Sequence, residues 1–322
     1  VGPALNRRAV LGLAATGAVA SAVPLATATP AAADALVPSL RIRQAYRRQT
    51  ARAGGAWQAM ISLTEPVVAD HADDVVEAYS VNKVAVAVAV LDKVDRGLVR
   101  LDQRLEVTAD LVIPTGDGVF PLDGAYPSSV TVGHALALLL TVSDDTAVRL
   151  CGLVCPALEL NEILVAKGFP MTQVVPVANP NRFFLGKTTP RETHDLLRAL
   201  AAGTLLSPES TAYLLKALRS QAAFTDGVRR EMSSAERARV ATKAGWFADG
   251  RNEAGVVFDA AGAPLLTYAI FAQGQGDPED FGGTHPAVRA RAALGRVFLD
   301  ATAHLGGPAA RAADAYQPAN GG

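Results

Sequence analysis

Ala78-Tyr79-Ser80-Val81-Asn82-Lys83 leads straight into an apolar run, Val84 to Leu91. The run predicts a helix that continues to about Asp95 and is ended by Gly97, the residue type that most readily closes a helix. A serine and a lysine three residues apart share one face of a helical turn. A serine hydroxyl needs a base before it attacks a carbonyl at neutral pH, and a lysine one turn away can serve if burial lowers its pKa. The same residues also suit a capped surface turn with a solvated lysine, so the pair acquires meaning only from the rest of the chain.

Outward from that stretch, strands are expected near both ends and helices in the middle. Val37 to Arg52 has the period of an amphipathic helix with many arginines on one side, and Gly54-Gly55 breaks it. Ala56 to Thr64 alternates as a strand closed by Pro66, and a second strand is expected within Val67 to Tyr79. Leu98 to Ser129 is irregular and rich in Gly, Pro and Asp, which predicts loops with short helices. Thr131 to Leu140 is a strongly apolar helix, a second helix follows the Thr141–Ala147 segment to about Leu153, and a third covers Ala157 to Lys167. Gly168 to Lys187 has no helical period and contains Pro170, Pro176 and Pro180, so it reads as a loop. Thr189-Pro190-Arg191-Glu192 combines a capping box with proline at the first helical position, and Ser207-Pro208-Glu209 starts another helix. Ala238 to Ala244, Gly255 to Asp259 and Leu265 to Ala272 are short β-like runs, and Pro286 to Leu305 is a closing helix. One antiparallel sheet built from the two ends, with a helical insert, is the economical arrangement.

The chain has 322 residues, half of them hydrophobic, and a formal net charge of -1. That suits one large domain or one fold of two lobes, and the balanced charge gives no reason to expect a nucleic-acid partner. Residues 1 to 33 read as a targeting segment: Arg7-Arg8, an apolar run from Ala9 to Val23, then small residues at Ala26-Thr27-Ala28 and Ala31-Ala32-Ala33. Paired arginines favour the twin-arginine export route. The run is shorter than the roughly 20 residues that a membrane span needs. Residues 34–305 then form the folded domain, and 306–322 a Gly-, Ala- and Pro-rich tail expected to be disordered. Cys151 and Cys155 lie four apart on an expected helix, where side-chain separation is awkward for a bridge; two buried thiols are favoured over a strained disulfide. His71, His134, His194, His285 and His304 are scattered and make no ligand set with the cysteines, so no metal site is expected.

Three short motifs fall in order: Ser80-Val81-Asn82-Lys83, Ser143-Asp144-Asp145 and Lys243-Ala244-Gly245. With these the chain, from about Val37 to Leu305, resembles the class A β-lactamases and their penicillin-binding relatives, whose signatures are S-x-x-K, S-D-N and K-T-G. Thr188-Thr189-Pro190 before a helix and Arg251-Asn252-Glu253 leading into a strand add to the likeness. The resemblance implies an α+β fold in three layers, with a five-stranded antiparallel sheet flanked by helices and an all-helical lobe inserted. It implies Ser80 as the acylated nucleophile, Lys83 as the group that takes or relays its proton, and Ser143 as the donor to the leaving nitrogen. Lys243, with Ala244, Gly245 and Arg251, would hold the substrate carboxylate, and the backbone N–H groups of Ser80 and Trp246 would form the oxyanion hole. The substrate would be a small molecule, a β-lactam or related acyl compound, handled by a monomer without cofactor or metal. The residues by themselves leave blander roles open: Ser143 ending a helix, Asp144 capping the next, Lys243 guarding a sheet edge, Arg251 in a solvated turn.

Three departures from the family pattern bear on function. Asp145 stands where the signature has asparagine, and would pair with Lys83 or Lys243, or itself accept a proton. Ala244 lacks the hydroxyl that grips the carboxylate, for which Arg251 would have to compensate. Most serious, nothing from Ile163 to Arg191 is acidic, so the loop Val174 to Lys187 supplies no carboxylate to activate a deacylating water; Asn179 or Asn181 could only orient one. A cell-wall peptidase or esterase of the penicillin-binding type is therefore the alternative, and a binding module without turnover a third. Ser80 and Ser143 are expected to face one cleft, with Lys83 and Lys243 on its floor and Lys83 bonded to Ser80 or Asp145.

Overall fold

The computed structural model describes residues 30–305, with side chains from Val37 onward. The expected targeting segment, apart from its last residues from Pro30, and the expected tail lie outside the described residues. α1 (Pro30–Ala53) leads into β1 (Ala56–Ser62) and β2 (Pro66–Asp70). β3 (Val76–Glu77), a 3-10 turn (Tyr79–Asn82) and α2 (Lys83–Asp95) follow. The middle of the chain holds β4 (Arg104–Val107), α3 (Phe120–Asp123), β5 (Ser128–Thr131), α4 (Val132–Thr141), α5 (Asp145–Val154), α6 (Ala157–Ala166), β6 (Gln173–Pro176), β7 (Phe183–Thr188), α7 (Pro190–Ala201) and α8 (Pro208–Arg219). A short α9 (Ser234–Arg237) precedes β8 (Val240–Phe247), β9 (Gly250–Phe258), β10 (Pro264–Gln273) and α10 (Pro286–Thr302).

The main sheet has the order β2-β1-β10-β9-β8, so strands from the two ends of the chain meet where β1 pairs antiparallel with β10. Alternation along each strand assigns its two faces. On β10, Leu266, Tyr268, Ile270 and Ala272 pack with α1 and α10, whereas Ala269 and Phe271 join the helical lobe. On β9, Ala254, Val256 and Phe258 face the lobe and Val257 the terminal helices. The sheet is thus the middle of three layers, because both its faces are apolar and each needs a cover. Within the lobe, α2 is buried at every residue from Lys83 to Leu91. A helix apolar all round belongs in a core, and α2 is wrapped by α4, α5, α6 and α8.

The structure differs from the sequence-based expectation in four places. Leu98 to Ser129, expected as loops with short helices, also contains β4 and the start of β5, which form an antiparallel pair. Pro66 opens β2 instead of closing β1; a proline is tolerated as the first residue of an edge strand, where no ladder donor is lost. Gly168 to Lys187 is not a structureless loop. β6 and β7 form an antiparallel pair, and β7 also pairs with β3 just before Ser80. Gly186 permits the crossing, with a φ of 70° and room for no side chain: a Cβ there would lie 2.2 Å from the Gln173 carbonyl oxygen. β9 begins five residues before the expected run, because Arg251, Asn252 and Glu253 look polar in sequence yet are fully partnered inside the sheet. Cys151 and Cys155 are unbridged and buried, and burial pushes both thiols up to about 12.

Candidate active site

Ser80 sits in the 3-10 turn that opens α2, immediately after Tyr79, whose φ is +49°. A non-glycine residue held there costs on the order of 1–3 kcal/mol and needs its surroundings to hold it. Here the Tyr79 ring lies over Gly250, where a Cβ would be 2.3 Å from the ring edge, and its centroid is 6.1 Å from that of Phe247. β8, the free edge of the sheet, passes directly beside the turn. A Cβ on Gly245 would lie 2.6 Å from the Ser80 amide nitrogen and 2.7 Å from that of Val81. Glycine at 245 is therefore a condition for bringing the edge strand against Ser80.

Lys83, one turn on, is completely buried. Its Nζ donates to the Ser143 carbonyl oxygen at 2.5 Å, to Ser143 Oγ at 3.1 Å and to Asp145 Oδ1 at 2.6 Å. Lys243 Nζ donates to the same Ser143 Oγ at 3.1 Å and to the Ala244 carbonyl oxygen at 2.7 Å. One hydroxyl thus bridges the two lysines, and the three sequence motifs converge on it. Ser143 achieves this in a left-handed conformation, φ +57°, in the three-residue break between α4 and α5. Asp144 fixes the break: its Oδ1 caps α5 at the Ala147 N–H (3.0 Å), and its Oδ2 accepts from the Val119 and Phe120 N–H groups at 2.6 and 3.0 Å. Asp145 Oδ2 accepts from the Asp117 N–H at 3.1 Å, and the Asp145 N–H donates to the Asp117 carbonyl at 3.0 Å.

Burial lowers the Lys83 pKa, and the charges of Asp145, then Asp117 and Asp144, oppose that shift. Lys243 is driven well below its ordinary value, first by burial and then by the charge on Lys83. The Asp117 carboxyl is raised by burial and by Asp145, with both lysines acting in the opposite sense. No sequence motif marks Asp117; only a Gly116-Asp117-Gly118 turn signal could have drawn attention to it. Two cavities flank the cluster. One, of about 290 Å³, is walled by Ser143, Lys243, Trp246 and Phe224, whose ring lies 5.2 Å from the indole. The other, of about 500 Å³, begins at Asp145 and runs under the β6–β7 pair.

The model of the Beta-lactamase enzyme family matches residues 41–302. The chain belongs to the beta-lactamase enzyme family. As a member it is a serine hydrolase of amide or ester bonds. No curated protein matches. Among solved structures, a beta-lactamase from Sphaerobacter thermophilus is 22% identical with a TM-score of 0.69, over 84% of this chain and 99% of its own. One from Chitinophaga pinensis is 22% identical with a TM-score of 0.68, over 81% and 99%. A variant of PBP-A, described as an acyl-enzyme complex with penicillin G, is 20% identical with a TM-score of 0.64, over 82% and 97%. These likenesses establish the β-lactamase fold.

Within this β-lactamase-family site, two residues read from the sequence as substrate-binding are turned away. Arg251 pairs with Trp246 and Ala244 with Glu253, so by the two-residue pleat both point to the face opposite Lys243. All five Arg251 donors are taken by carbonyls of Ala248, Gly250, Pro278 and Asp280, and its guanidinium stacks on Phe281 at 4.5 Å. It is a staple for the β8–β9 turn, with no donor left for a carboxylate. Gly245 faces Ser80, and Trp246 lines the smaller cavity. Glu192, the nearest acid after the β6–β7 pair, is occupied at the start of α7, accepting from the Met171 N–H and Thr172 Oγ1. The chain also contains a serine–histidine–aspartate series away from this site. Ser62 Oγ lies 2.7 Å from His194 Nε2, and His194 Nδ1 lies 2.7 Å from Asp195 Oδ1. Ser62 and His194 are wholly buried between β1 and α7, out of reach of solvent, so this series ties the layers together.

Proposed function

We propose that the protein is an exported β-lactamase-like enzyme that forms an acyl-enzyme on Ser80. The observation that carries this is the Ser143 hydroxyl bridging Lys83 and Lys243 at 3.1 Å each, beside the turn that holds Ser80. In the resting arrangement all three Lys83 donor directions point at Ser143 and Asp145. Loss of one proton frees a lone pair, and burial makes that loss easier. Neutral Lys83 takes the Ser80 proton as Oγ attacks the acyl carbon. The oxyanion forms against the Ser80 and Trp246 N–H groups, where one such donor is worth about 2.7–4 kcal/mol. The C–N bond then breaks, and the proton passes from Lys83 through Ser143 to the leaving nitrogen. Lys243 faces the substrate carboxylate alone, since Arg251 is committed elsewhere; the arriving carboxylate and the loss of charge on Lys83 both favour its protonated form against burial.

A penicillin-binding type of cell-wall peptidase or esterase is the second reading. It is favoured by the composition of β6, β7 and their connection, which offer no carboxylate to the ester. Residues 34–305 would be the catalytic domain, acting as a monomer on a small acyl substrate. Arg7-Arg8 and the apolar run after them support export. Incubation with benzylpenicillin should add the mass of one intact penicillin, located on the Ser80 peptide and absent from Ser80→Ala. A wild-type protein that gains no mass and releases no product would overturn the β-lactam reading in favour of another acyl substrate or a binding module.

The Lys83–Asp145 contact predicts a pH effect. The carboxylate stabilises the charged lysine and so raises its pKa against the lowering effect of burial. Asp145→Asn removes that support, while Asp117 and Asp144 still act upward and Lys243 downward. Lys83 then becomes neutral at lower pH, and the acid limb of the acylation profile should move to lower pH. An acid limb that stays in place would show that the pair does not govern proton uptake.

A further inference from the structure

The two cavities lie on either side of the Ser143–Asp145 turn. The smaller one contains Ser143 and Lys243, the side on which the leaving nitrogen is protonated. The larger begins on the other side of the same turn, at Asp145, which under the proposed function is the acyl side of the reacting carbonyl. Its construction follows from α5, which presents Asp145, Val148, Arg149 and Gly152 as one stripe. At Gly152 the β6–β7 connection closes tightly on the helix: a Cβ there would be 2.1 Å from the Asn181 carbonyl oxygen. One turn earlier it stands off, and the 500 Å³ space opens.

The lining is apolar above and cationic below. Phe184, 70% exposed, and Val148 are among its walls, and Arg149 and Arg182 both reach into it. Arg149 Nη1 donates to the Leu111 and Asp110 carbonyls, which leaves its Nε and Nη2 without an acceptor among the described residues. Arg182 has one charged neighbour, Asp110, at 3.8 Å. Asp110 is 80% exposed on its side chain and therefore screened by water. Asp145 is matched by Lys83 at 2.6 Å. Two partly enclosed guanidinium groups that repel one another have as counter-charges only the solvated Asp110 and an Asp145 already paired with Lys83. A carboxylate between them would remove the repulsion and accept paired N–H bonds.

We propose that this cavity receives the acyl arm of the substrate and selects arms that combine an apolar stem with a carboxylate, held by Arg149 and Arg182. The assignment of the arm rests on Ser80 being the nucleophile; the preference for an anion rests on the cavity alone. The probes are benzylpenicillin and carbenicillin, which differ by one carboxylate on the benzyl arm. Calorimetry on the full chain carrying Ser80→Ala should show carbenicillin binding about ten- to hundredfold tighter, the range for hydrogen bonds to a charged group. Arg182→Gln and Arg149→Gln, each added to that background, should erase the difference between the two probes. Arg182 is the safer of the two, since it forms no hydrogen bond through its side chain among the described residues. Equal affinities, no binding of either probe, or a preference that survives both substitutions would overturn the proposal. In parallel, the unsubstituted protein is tested for acylation by benzylpenicillin. Failure there removes the nucleophile assignment, while the affinity ratio still judges the cavity.

Discussion

Mixed with saturating benzylpenicillin, the protein is expected to be recovered mostly as the Ser80 acyl-enzyme. The proposed acylation would draw on a serine on a strained turn, a buried lysine with a lowered pKa, and a hydroxyl that could relay a proton to the leaving nitrogen. Hydrolysis of the resulting ester needs a second base, aimed at a water from the side of β6 and β7. That side supplies Asn181, Arg182 and two phenylalanines. Glu192 is held by the Met171 N–H and Thr172. A positioned general base contributes about 10²–10⁴-fold, or roughly 3–5 kcal/mol of barrier, and deacylation should lag by that order. Mass spectrometry of quenched time points reads the acylated fraction directly. Rapid product release with Ser80 largely unmodified would mean that another carboxylate supplies the base. Asp117 and Asp145, whose charges act on Lys83, would then be replaced first. Turnover that persists in Ser80→Ala would end the proposed mechanism.

The second large effect concerns stability. Glu253→Ala should destabilise the fold by about 3–5 kcal/mol, the usual consequence of removing one partner from a buried ionic group. Glu253 is wholly buried under the sheet beside Arg291, 3.5 Å away. It accepts from Thr242 Oγ1 at 2.7 Å and from the Val228 N–H at 3.0 Å. Gly227 is glycine because the carboxylate occupies its side: a Cβ there would lie 1.9 Å from Glu253 Oε2. Arg229 and Arg291 are also buried, and each already has two side-chain nitrogens without a hydrogen-bond partner. Without the carboxylate, two charges remain in the interior with nothing to offset them. The expected fall in melting temperature is roughly 6–20 °C, and Glu253→Gln should fall less because it keeps the acceptors. A change under about 2 °C in Glu253→Ala would show that the arginines are satisfied by water. The same carboxylate holds the segment carrying Phe224, so the smaller cavity should loosen as well.

Much of the candidate cluster was legible because its members occur as short local signatures. Ser80 and Lys83 share a helical turn, and Ser143 falls in the break after an apolar helix. Lys243 precedes a glycine whose missing side chain lets the edge strand approach Ser80. The two-ended sheet was legible from alternating runs at either end of the chain. Polar residues with a buried destination misled: Arg251 looked available to a substrate, and its neighbours looked like a turn. Nothing local distinguishes a guanidinium bound by five carbonyl contacts from a solvated one. Nor could Gly168 to Lys187 be read as strands, because its runs are short and interrupted by prolines, and β7 pairs with a segment about a hundred residues earlier.

By itself, the sequence determined the family, the order of the catalytic motifs and the absence of an acid between Ile163 and Arg191, since these depend on residue identity and spacing along the chain. Only the tertiary structure decided that one hydroxyl joins both lysines, that Asp145 pairs with Lys83, that Arg251 faces away, and that Asp117 acts on both lysines from a loop without a motif. Those depend on strand register, on burial and on which distant segments meet, and Coulomb and hydrogen-bond energies depend on distances through space rather than along the chain.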